Sequence, residues 1–201
     1  IMQANYSGAL TREQFLFHEM RIAARLKLEG LSDRDILTRV YNEDLFQYPT
    51  EKEIKSKCKA CLKRLACVSN MPLLVKSLAE GPAGEAKQAA LIAMMCQNTL
   101  MADFMVQVIG EKYRTLDMSL TRLDMNLFFL RLQQQQEDVA AWSEQTVTRI
   151  KGVIRRCLRE TEYLSGMGSE VLLPVFLPEE FADALRSAGL RTFLPAFNIF
   201  E

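Results

Sequence analysis

Helix-start signals recur along the chain and constrain its fold more than any other feature. At three places Thr stands three residues before Gln, Glu or Asp, pairing Thr11 with Gln14, Thr50 with Glu53, and Thr121 with Asp124. Such pairs form capping boxes at helix N-termini. Ser32 and Ser143 are two further N-cap candidates, each followed by apolar residues at helical spacing. These signals predict an all-α, mainly helical chain.

The apolar positions that follow these caps set the predicted helix bounds. The first helix is predicted to run from the Thr11 cap to Gly30, and later ones over about residues 32–43, 50–67, 71–79, 84–97, 100–113, 121–136, 143–164 and 178–188. Residues 171–176 are β-branched and broken by proline, which predicts an edge strand or hairpin as a small C-terminal β element. Nine Gly and six Pro in 201 residues argue against an all-β sandwich, which needs frequent turns.

Composition and pattern breaks indicate two helical modules. Half of the residues are apolar (49%) and a quarter are charged (25%), which is typical of a globular chain. Residues 81–84, Gly-Pro-Ala-Gly, are the clearest break, so the predicted modules are residues 1–80 and 81–201. The longest uncharged apolar run, residues 89–96, is too short to span a membrane, and residues 1–5 show no secretion signal. We therefore expect a cytoplasmic protein with reduced thiols.

Residues that support catalysis or hold metals are sparse. His18 is the single histidine, and its surroundings do not form a two-histidine zinc motif. Cys58 and Cys61 form a C-x-x-C pair with Cys67 nearby, but a structural zinc site needs four ligands and no second pair is present. On a helix, Cys58 and Cys61 share the side of Ile54, which is typical of small core residues. We therefore predict no enzyme activity, no cofactor and no metal site.

The charges balance to zero, with 25 basic and 25 acidic residues, so a nucleic-acid contact requires a local concentration of positive charge. Residues 51–64 hold six basic side chains against two acidic ones. On a helical wheel the apolar side chains cluster within about 100°. The opposite and flanking positions carry Lys52, Lys55, Lys59 and Lys63. Short helix, connection and basic helix follow in the order of a helix-turn-helix, which we predict for the first module.

A second basic helix is predicted near the C-terminus. Residues 147–159 hold five basic side chains and no acidic one. The apolar residues turn inward on the wheel, and the outer side carries Lys151, Arg155 and Arg159. A basic helix followed by a small β element is the order of a winged helix, whose helix can enter the major groove. Gly152 interrupts this helix, which predicts close packing or a close approach to a backbone.

Seven short segments stand out in order along nearly the whole chain, and none of them is a catalytic signature. They are Tyr6-Ser7 with Leu10, Glu19-Met20-Arg21, Glu29-Gly30-Leu31-Ser32, Asp44-Leu45-Phe46-Gln47-Tyr48, Thr115-Leu116-Asp117, Trp142-Ser143-Glu144-Gln145-Thr146 and Phe193-Leu194-Pro195-Ala196-Phe197. This ordered set resembles the BrxA family of bacterial BREX phage-defence systems. The resemblance implies a small helical, non-enzymatic component, similar to winged-helix and NusB-like nucleic-acid binders, with other BREX proteins as partners. No binding residue is carried over from the family.

Together, the two basic faces predict a non-enzymatic protein that binds double-stranded DNA mainly through phosphates, with little sequence preference. The predicted contacts are Lys52, Lys55, Lys59 and Lys63 on the first basic helix, and Lys151, Arg155 and Arg159 on the second. Two alternatives stay open: an RNA-binding factor of the NusB-like kind, and a scaffold whose basic faces meet acidic partner proteins. Aromatic residues are sparse in both stripes, which disfavours a single-strand stacking platform.

Overall fold

The computed structural model describes residues 6–201, so the segment 1–5, on which the prediction of no secretion signal rests, lies outside the described residues. Helices dominate the described chain, which confirms the predicted mainly helical class. The α-helices are α1 (Phe17–Leu28), α2 (Asp33–Asn42), α3 (Glu51–Cys67), α4 (Pro72–Glu80), α5 (Ala83–Gln97), α6 (Thr99–Phe104), α7 (Glu111–Arg114), α8 (Arg122–Gln135), α9 (Glu137–Ala140), α10 (Glu144–Glu160) and α11 (Glu179–Ser187). Two 3₁₀ segments, Gly8–Thr11 and Arg191–Phe197, and a π-helical turn, Met105–Gly110, accompany them.

Most of the helix starts predicted from capping residues are confirmed. Ser32 accepts a hydrogen bond from the Asp35 N–H at the start of α2, and Ser143 caps α10 in the same way. Thr121 and Asp124 form the predicted reciprocal capping box at α8. Each cap satisfies a backbone N–H that the helix leaves unpaired, which stabilises the helix by about 1 kcal/mol.

The predicted capping box at Thr11 is wrong. Thr11 ends a 3₁₀ turn, and its hydroxyl donates at 2.9 Å to the carbonyl three residues earlier. Helix α1 begins only after Leu16, whose backbone is left-handed with a φ of 57°. The Phe15 carbonyl accepts a 2.8 Å hydrogen bond from Arg64 Nη1. Because this tertiary contact uses the carbonyl, Phe15 stays outside the helix.

Two predicted helices have different bounds in the structure. The helix expected over residues 100–113 is divided into α6, the π-helical turn and α7. That turn ends at Gly110, where a Cβ atom would lie 2.9 Å from Pro195 Cβ, so glycine permits close packing of the last 3₁₀ segment. Helix α10 ends earlier than predicted, because the buried Thr161 hydroxyl bonds back to the helix and Glu162 adopts a φ of 69°.

The small C-terminal β element is not confirmed. Between residues 6 and 201 the β structure consists of two isolated antiparallel bridges, which join Ser119 to Val171 and Leu164 to Leu172. Pro174 follows closely and has no N–H with which to extend a ladder. The helix predicted after Pro178 is confirmed as α11.

The described chain forms two compact units. The first unit comprises residues 15–97 and 178–184, and the second comprises residues 6–14, 98–177 and 185–201. Neither unit is a contiguous half of the chain. The division into modules 1–80 and 81–201 therefore stays a prediction.

Each unit has its own apolar core. In the first unit α5 is buried on nearly all sides, and its alanines let α3 and α4 pack closely against it. In the second unit the Phe128 ring contacts Phe104 and Phe129 edge-to-face, at centroid distances of 5.2 and 5.4 Å. Tyr163 is fully buried and donates to the Ala196 carbonyl at 2.9 Å, which fixes the last 3₁₀ segment in this core.

A buried lysine organises the loop that precedes α8. The Lys112 side chain is 9% exposed, and its Nζ lies 2.8 Å from Asp117 Oδ2 and 3.1 Å from Asp124 Oδ2. Burial lowers the pKa of Lys112, but the hydrogen bonds to the two carboxylates outweigh it and the pKa is raised. The hydrogen bond from Lys112 lowers the pKa of Asp117. At Asp124 burial acts to raise the pKa, but hydrogen bonds from Thr121 and Lys112 outweigh burial, and the pKa of Asp124 is lowered.

Candidate nucleic-acid interface

Helix α3 has one apolar face in the core of the first unit and one basic face in solvent. Thr50 Oγ1 accepts a hydrogen bond from the Glu53 N–H at 3.2 Å and provides the predicted N-cap. The predicted inward residues are all buried: Ile54, Cys58, Cys61, Leu62 and Leu65. Burial of these side chains fixes the rotation of the helix about its axis, so the lysines on the other side remain in solvent.

The four lysines predicted on α3 are all exposed. Positions 52, 55, 59 and 63 form one line along the helix, about 16 Å long at 1.5 Å per residue. Lys55 forms an ion pair with Glu51, and its Nζ lies 5.7 Å from the centroid of the Tyr41 ring. Within the described residues the other three lysines form no ion pair, so their charges face solvent unneutralised. The side chains beside this line enclose a shallow depression of about 610 Å³.

Helix α2, which precedes α3, presents acidic side chains. Asp33 and Asp35 stand in its first turn, Glu43 and Asp44 follow its last, and all four are exposed. Residues 43–50 connect α2 to α3, a longer connection than the three- or four-residue turn of a helix-turn-helix. The order of the two helices matches the predicted motif, whereas the length of the connection does not.

Helix α10 buries one side in the core of the second unit. Its buried residues are Val147, Ile150, Ile154, Cys157 and Leu158. The buried Ile150, Ile154 and Cys157 agree with the inward positions on the helical wheel. The basic residues of α10 are therefore divided between the edges of this buried side and the solvent.

The three basic residues predicted on α10 are half-buried. Lys151 Nζ donates to Asn126 Oδ1 at 2.7 Å and lies 5.4 Å from a phenylalanine ring centroid. Arg155 Nη2 donates to the Ser169 carbonyl at 3.0 Å. These two side chains connect α10 to α8 and to the following loop. Arg159 forms no ion pair with any residue in the described range.

Two exposed arginines of α10 were missed by the sequence prediction. Arg149 and Arg156 are seven residues apart and share one side of the helix. Together with four other residues they line an open cleft of about 390 Å³. A Cβ atom at Gly152, between them, would meet no atom within 4 Å, so the predicted close packing of Gly152 is wrong. An arginine pair at this spacing around a helical glycine is the sequence signal that could have identified the cleft.

Three of the five cysteines, Cys58, Cys61 and Cys157, are buried, and the single histidine is a surface residue. No group of His, Cys, Asp or Glu within residues 6–201 could hold a metal ion. Cys58 and Cys61 are buried, as predicted. Burial raises the pKa of Cys58 to about 11 and also raises that of Cys61, so both remain thiols at neutral pH. His18 lies exposed on α1.

Within the described residues no single helix is both long and apolar enough to cross a membrane. The consecutive helical stretches Ala83–Gln97 and Thr99–Arg114 reach that length and apolarity only when the two are counted together. The first of them is α5, whose side chains are largely buried in its own unit.

Comparisons with known proteins place the chain in a family. A BREX protein BrxA from Bacillus cereus (strain H3081.97) is 28% identical over 185 residues, which cover 92% of each chain. A BREX protein BrxA from Paramagnetospirillum magneticum (strain ATCC 700264 / AMB-1) is 23% identical over 168 residues, 84% of this chain and 83% of the relative. The crystal structure of an uncharacterized protein from Magnetospirillum magneticum shares the fold, with a TM-score of 0.82 and 21% identity over 96% of this chain and 98% of that one. Residues 4–189 match the model of the BrxA family, and the chain therefore belongs to the BrxA family of BREX phage-defence systems.

Proposed function

We propose that this chain binds double-stranded DNA as a non-enzymatic component of a BREX phage-defence system. The observation that carries the proposal is the line of exposed lysines on α3, of which Lys52, Lys59 and Lys63 form no ion pair within residues 6–201. Phosphates follow one another at about 3.4 Å of axis along each DNA strand. A line of charge about 16 Å long can therefore meet several phosphates.

The exposed side chains of α3 favour phosphate contacts over base recognition. Besides its lysines, the exposed surface of α3 offers two glutamates, one serine, one alanine and one cysteine. The single arginine of α3, Arg64, is fully buried. Lysine can also contact guanine, but α3 exposes no Arg, Asn or Gln for two-point contacts to a base, and a lysine ammonium binds phosphate as a point charge. We therefore propose binding with little sequence preference.

Of the predicted helix-turn-helix and winged-helix motifs, the proposal keeps only the two basic helices, α3 and α10. Helix α3 approaches DNA without help from α2, because exposed acidic residues of α2 would repel phosphates. On α10 we propose that Arg149 and Arg159, which form no ion pair within residues 6–201, contribute more than Lys151 and Arg155. The latter two already have hydrogen-bond acceptors within the protein.

Charge reversal on α3 tests the proposal. The double variant Lys59→Glu with Lys63→Glu should bind a short labelled DNA duplex at least about tenfold more weakly in a gel-shift titration. The matched control reverses two other exposed charges of the first unit, Arg34→Glu with Lys76→Glu, and should bind like the unaltered protein. Equal affinity in both variants, or an equal loss in both, contradicts the assignment to α3. Competition with structured RNA of equal length tests the NusB-like alternative, and we expect duplex DNA to compete more strongly.

We also propose that other BREX proteins bind this chain, as membership of the family suggests. Helix α8 supports a protein-binding role, because Leu123, Leu127 and Leu130 line one side of it and are 48–63% exposed. Contiguous exposed leucines are typical of protein interfaces. A complex with a BREX partner should survive nuclease treatment and be lost in the Leu127→Glu variant. A complex that nuclease dissolves contradicts this role.

A further inference from the structure

An open cleft of about 390 Å³ lies beside α10 in the second unit, whereas the lysines of α3 belong to the first unit. It is lined by Thr11, Gln14, Arg149, Gly152, Val153 and Arg156. The 3₁₀ turn Gly8–Thr11 packs directly on α10, which holds one wall of the cleft against the other. A 2.5 Å hydrogen bond from Tyr6 Oη to Asp103 Oδ2 anchors the chain just before this turn. The cleft is therefore built by two elements that are distant in sequence.

The lining of this cleft is positively charged. Arg149 and Arg156 stand about 10.5 Å apart along the helix axis, since seven residues separate them. Arg149 forms no ion pair within residues 6–201, and Arg156 shares its charge with Glu160 at 3.0 Å. No carboxylate is among the lining side chains. An anion that enters the cleft thus meets two guanidinium groups and no lining carboxylate.

Gly152 keeps the space between the two arginines free. Glycine is unfavourable in a helix interior relative to alanine, and at this position no neighbouring atom requires it, because a Cβ would meet nothing within 4 Å. The missing side chain leaves room for a tetrahedral group against the helix backbone. A steric requirement from outside the protein explains the glycine better than internal packing does.

We infer that this cleft binds a phosphate group, held by Arg149 and Arg156 and seated over Gly152. Guanidinium groups offer planar, paired N–H donors that match phosphate oxygens and remain charged at every physiological pH. The phosphate belongs either to a nucleic-acid backbone or to a free phosphate ion, and the recognition chemistry is the same. As a nucleic-acid contact the inference rests on the proposed DNA-binding function; as an anion site it does not.

Two variants test the cleft by different means. Gly152→Leu fills the space without a change of charge, and leucine is favoured over glycine in a helix, so the fold is kept. Arg149→Gln with Arg156→Gln removes the charge. Both should bind duplex DNA about tenfold more weakly, as expected for the loss of charge-assisted hydrogen bonds to phosphate. The matched control, Arg122→Gln with Arg131→Gln, alters two exposed arginines of α8 and should bind normally.

Inorganic phosphate tests the anion site separately from the DNA-binding function. At constant ionic strength, phosphate should shift the Gly152 amide resonance saturably in the unaltered protein, and not in the double arginine variant. If the protein binds no duplex DNA but this shift occurs, the proposed function fails and the cleft site stands. The cleft is not a nucleic-acid contact if Gly152→Leu binds DNA normally or if the α8 control loses as much affinity. The anion site itself is overturned if phosphate causes no saturable shift in the unaltered protein, or the same shift in the double arginine variant.

Discussion

Replacement of Lys112 by Met should destabilise the second unit. Lys112 Nζ is the shared donor to Asp117 and Asp124, and these contacts fix the loop before α8. Methionine keeps the unbranched, buried stem of the side chain, so the substitution removes the charge and little else. Without the ammonium group, two carboxylates that accept from one nitrogen remain close together and repel each other.

The burial of Lys112, Asp117 and Asp124 determines how much unfolding free energy the substitution removes. Loss of one partner from a fully buried ion pair costs about 3–5 kcal/mol, whereas exposed pairs contribute about 0.2–1 kcal/mol. The Lys112 side chain is 9% exposed, but Asp117 and Asp124 are 49% and 26% exposed, which places this case between the two limits. We expect a loss of about 2–3 kcal/mol at pH 7. For a chain of this size that is a fall in Tm of about 4–12 °C.

The stability difference between the Lys112→Met variant and the unaltered protein should depend on pH. The lowered pKa values of Asp117 and Asp124 mean that their contribution is complete above the unfolded value of about 3.9 and is lost as pH falls through the folded values. The variant should therefore lose most stability at neutral pH, and the difference should shrink below about pH 4. Scanning calorimetry at both pH values measures it, with the exposed Lys76→Met as control. Equal Tm values at pH 7, or a deficit that does not change with pH, would refute the reasoning.

Three further predictions follow from packing and burial. Gly152→Ala should stabilise the protein by up to about 1 kcal/mol, because alanine is favoured in a helix and no neighbouring atom opposes its Cβ. Gly110→Ala should destabilise the protein by about 1–3 kcal/mol, because its Cβ would press on Pro195. Urea unfolding measures both variants, and a Gly110→Ala protein more stable than Gly152→Ala contradicts the structure. Thr50→Ala should cost about 1 kcal/mol in the same assay through loss of the α3 cap, and no loss would contradict that role. A thiol reagent should modify the exposed Cys67 in the native protein and the buried Cys58, Cys61 and Cys157 only after unfolding, so a single rate for all five thiols would contradict the observed burial.

Local signals explain why α3 could be predicted nearly in full. Thr50 marks its start, and apolar residues at helical spacing determine which side is buried, so the exposed side with Lys59 and Lys63 follows from the pattern. The start of α1 could not be predicted in this way. There the Phe15 carbonyl bonds to Arg64, far along the chain, and this contact overrides the local capping signal at Thr11.

The site on α10 depends on contacts with residues outside the helix, which a helical wheel cannot show. The wheel placed Lys151 and Arg155 on an outer face, but Asn126 and Ser169 supply acceptors that draw both side chains into intramolecular contacts. The cleft at Arg149 forms only because residues 11–14 come close to α10. Such long-range contacts leave no periodic signal in the sequence.

The salt dependence of DNA binding tests the central claim most directly. Each phosphate contact adds about 0.9 to the slope of the logarithm of affinity against the logarithm of salt concentration. The three unpaired lysines of α3 predict a slope of about −3 or steeper for duplex DNA, and Lys59→Glu with Lys63→Glu should reduce its magnitude by about two. An affinity that does not vary with salt, or the same slope in both proteins, would contradict the proposal that α3 binds DNA phosphates.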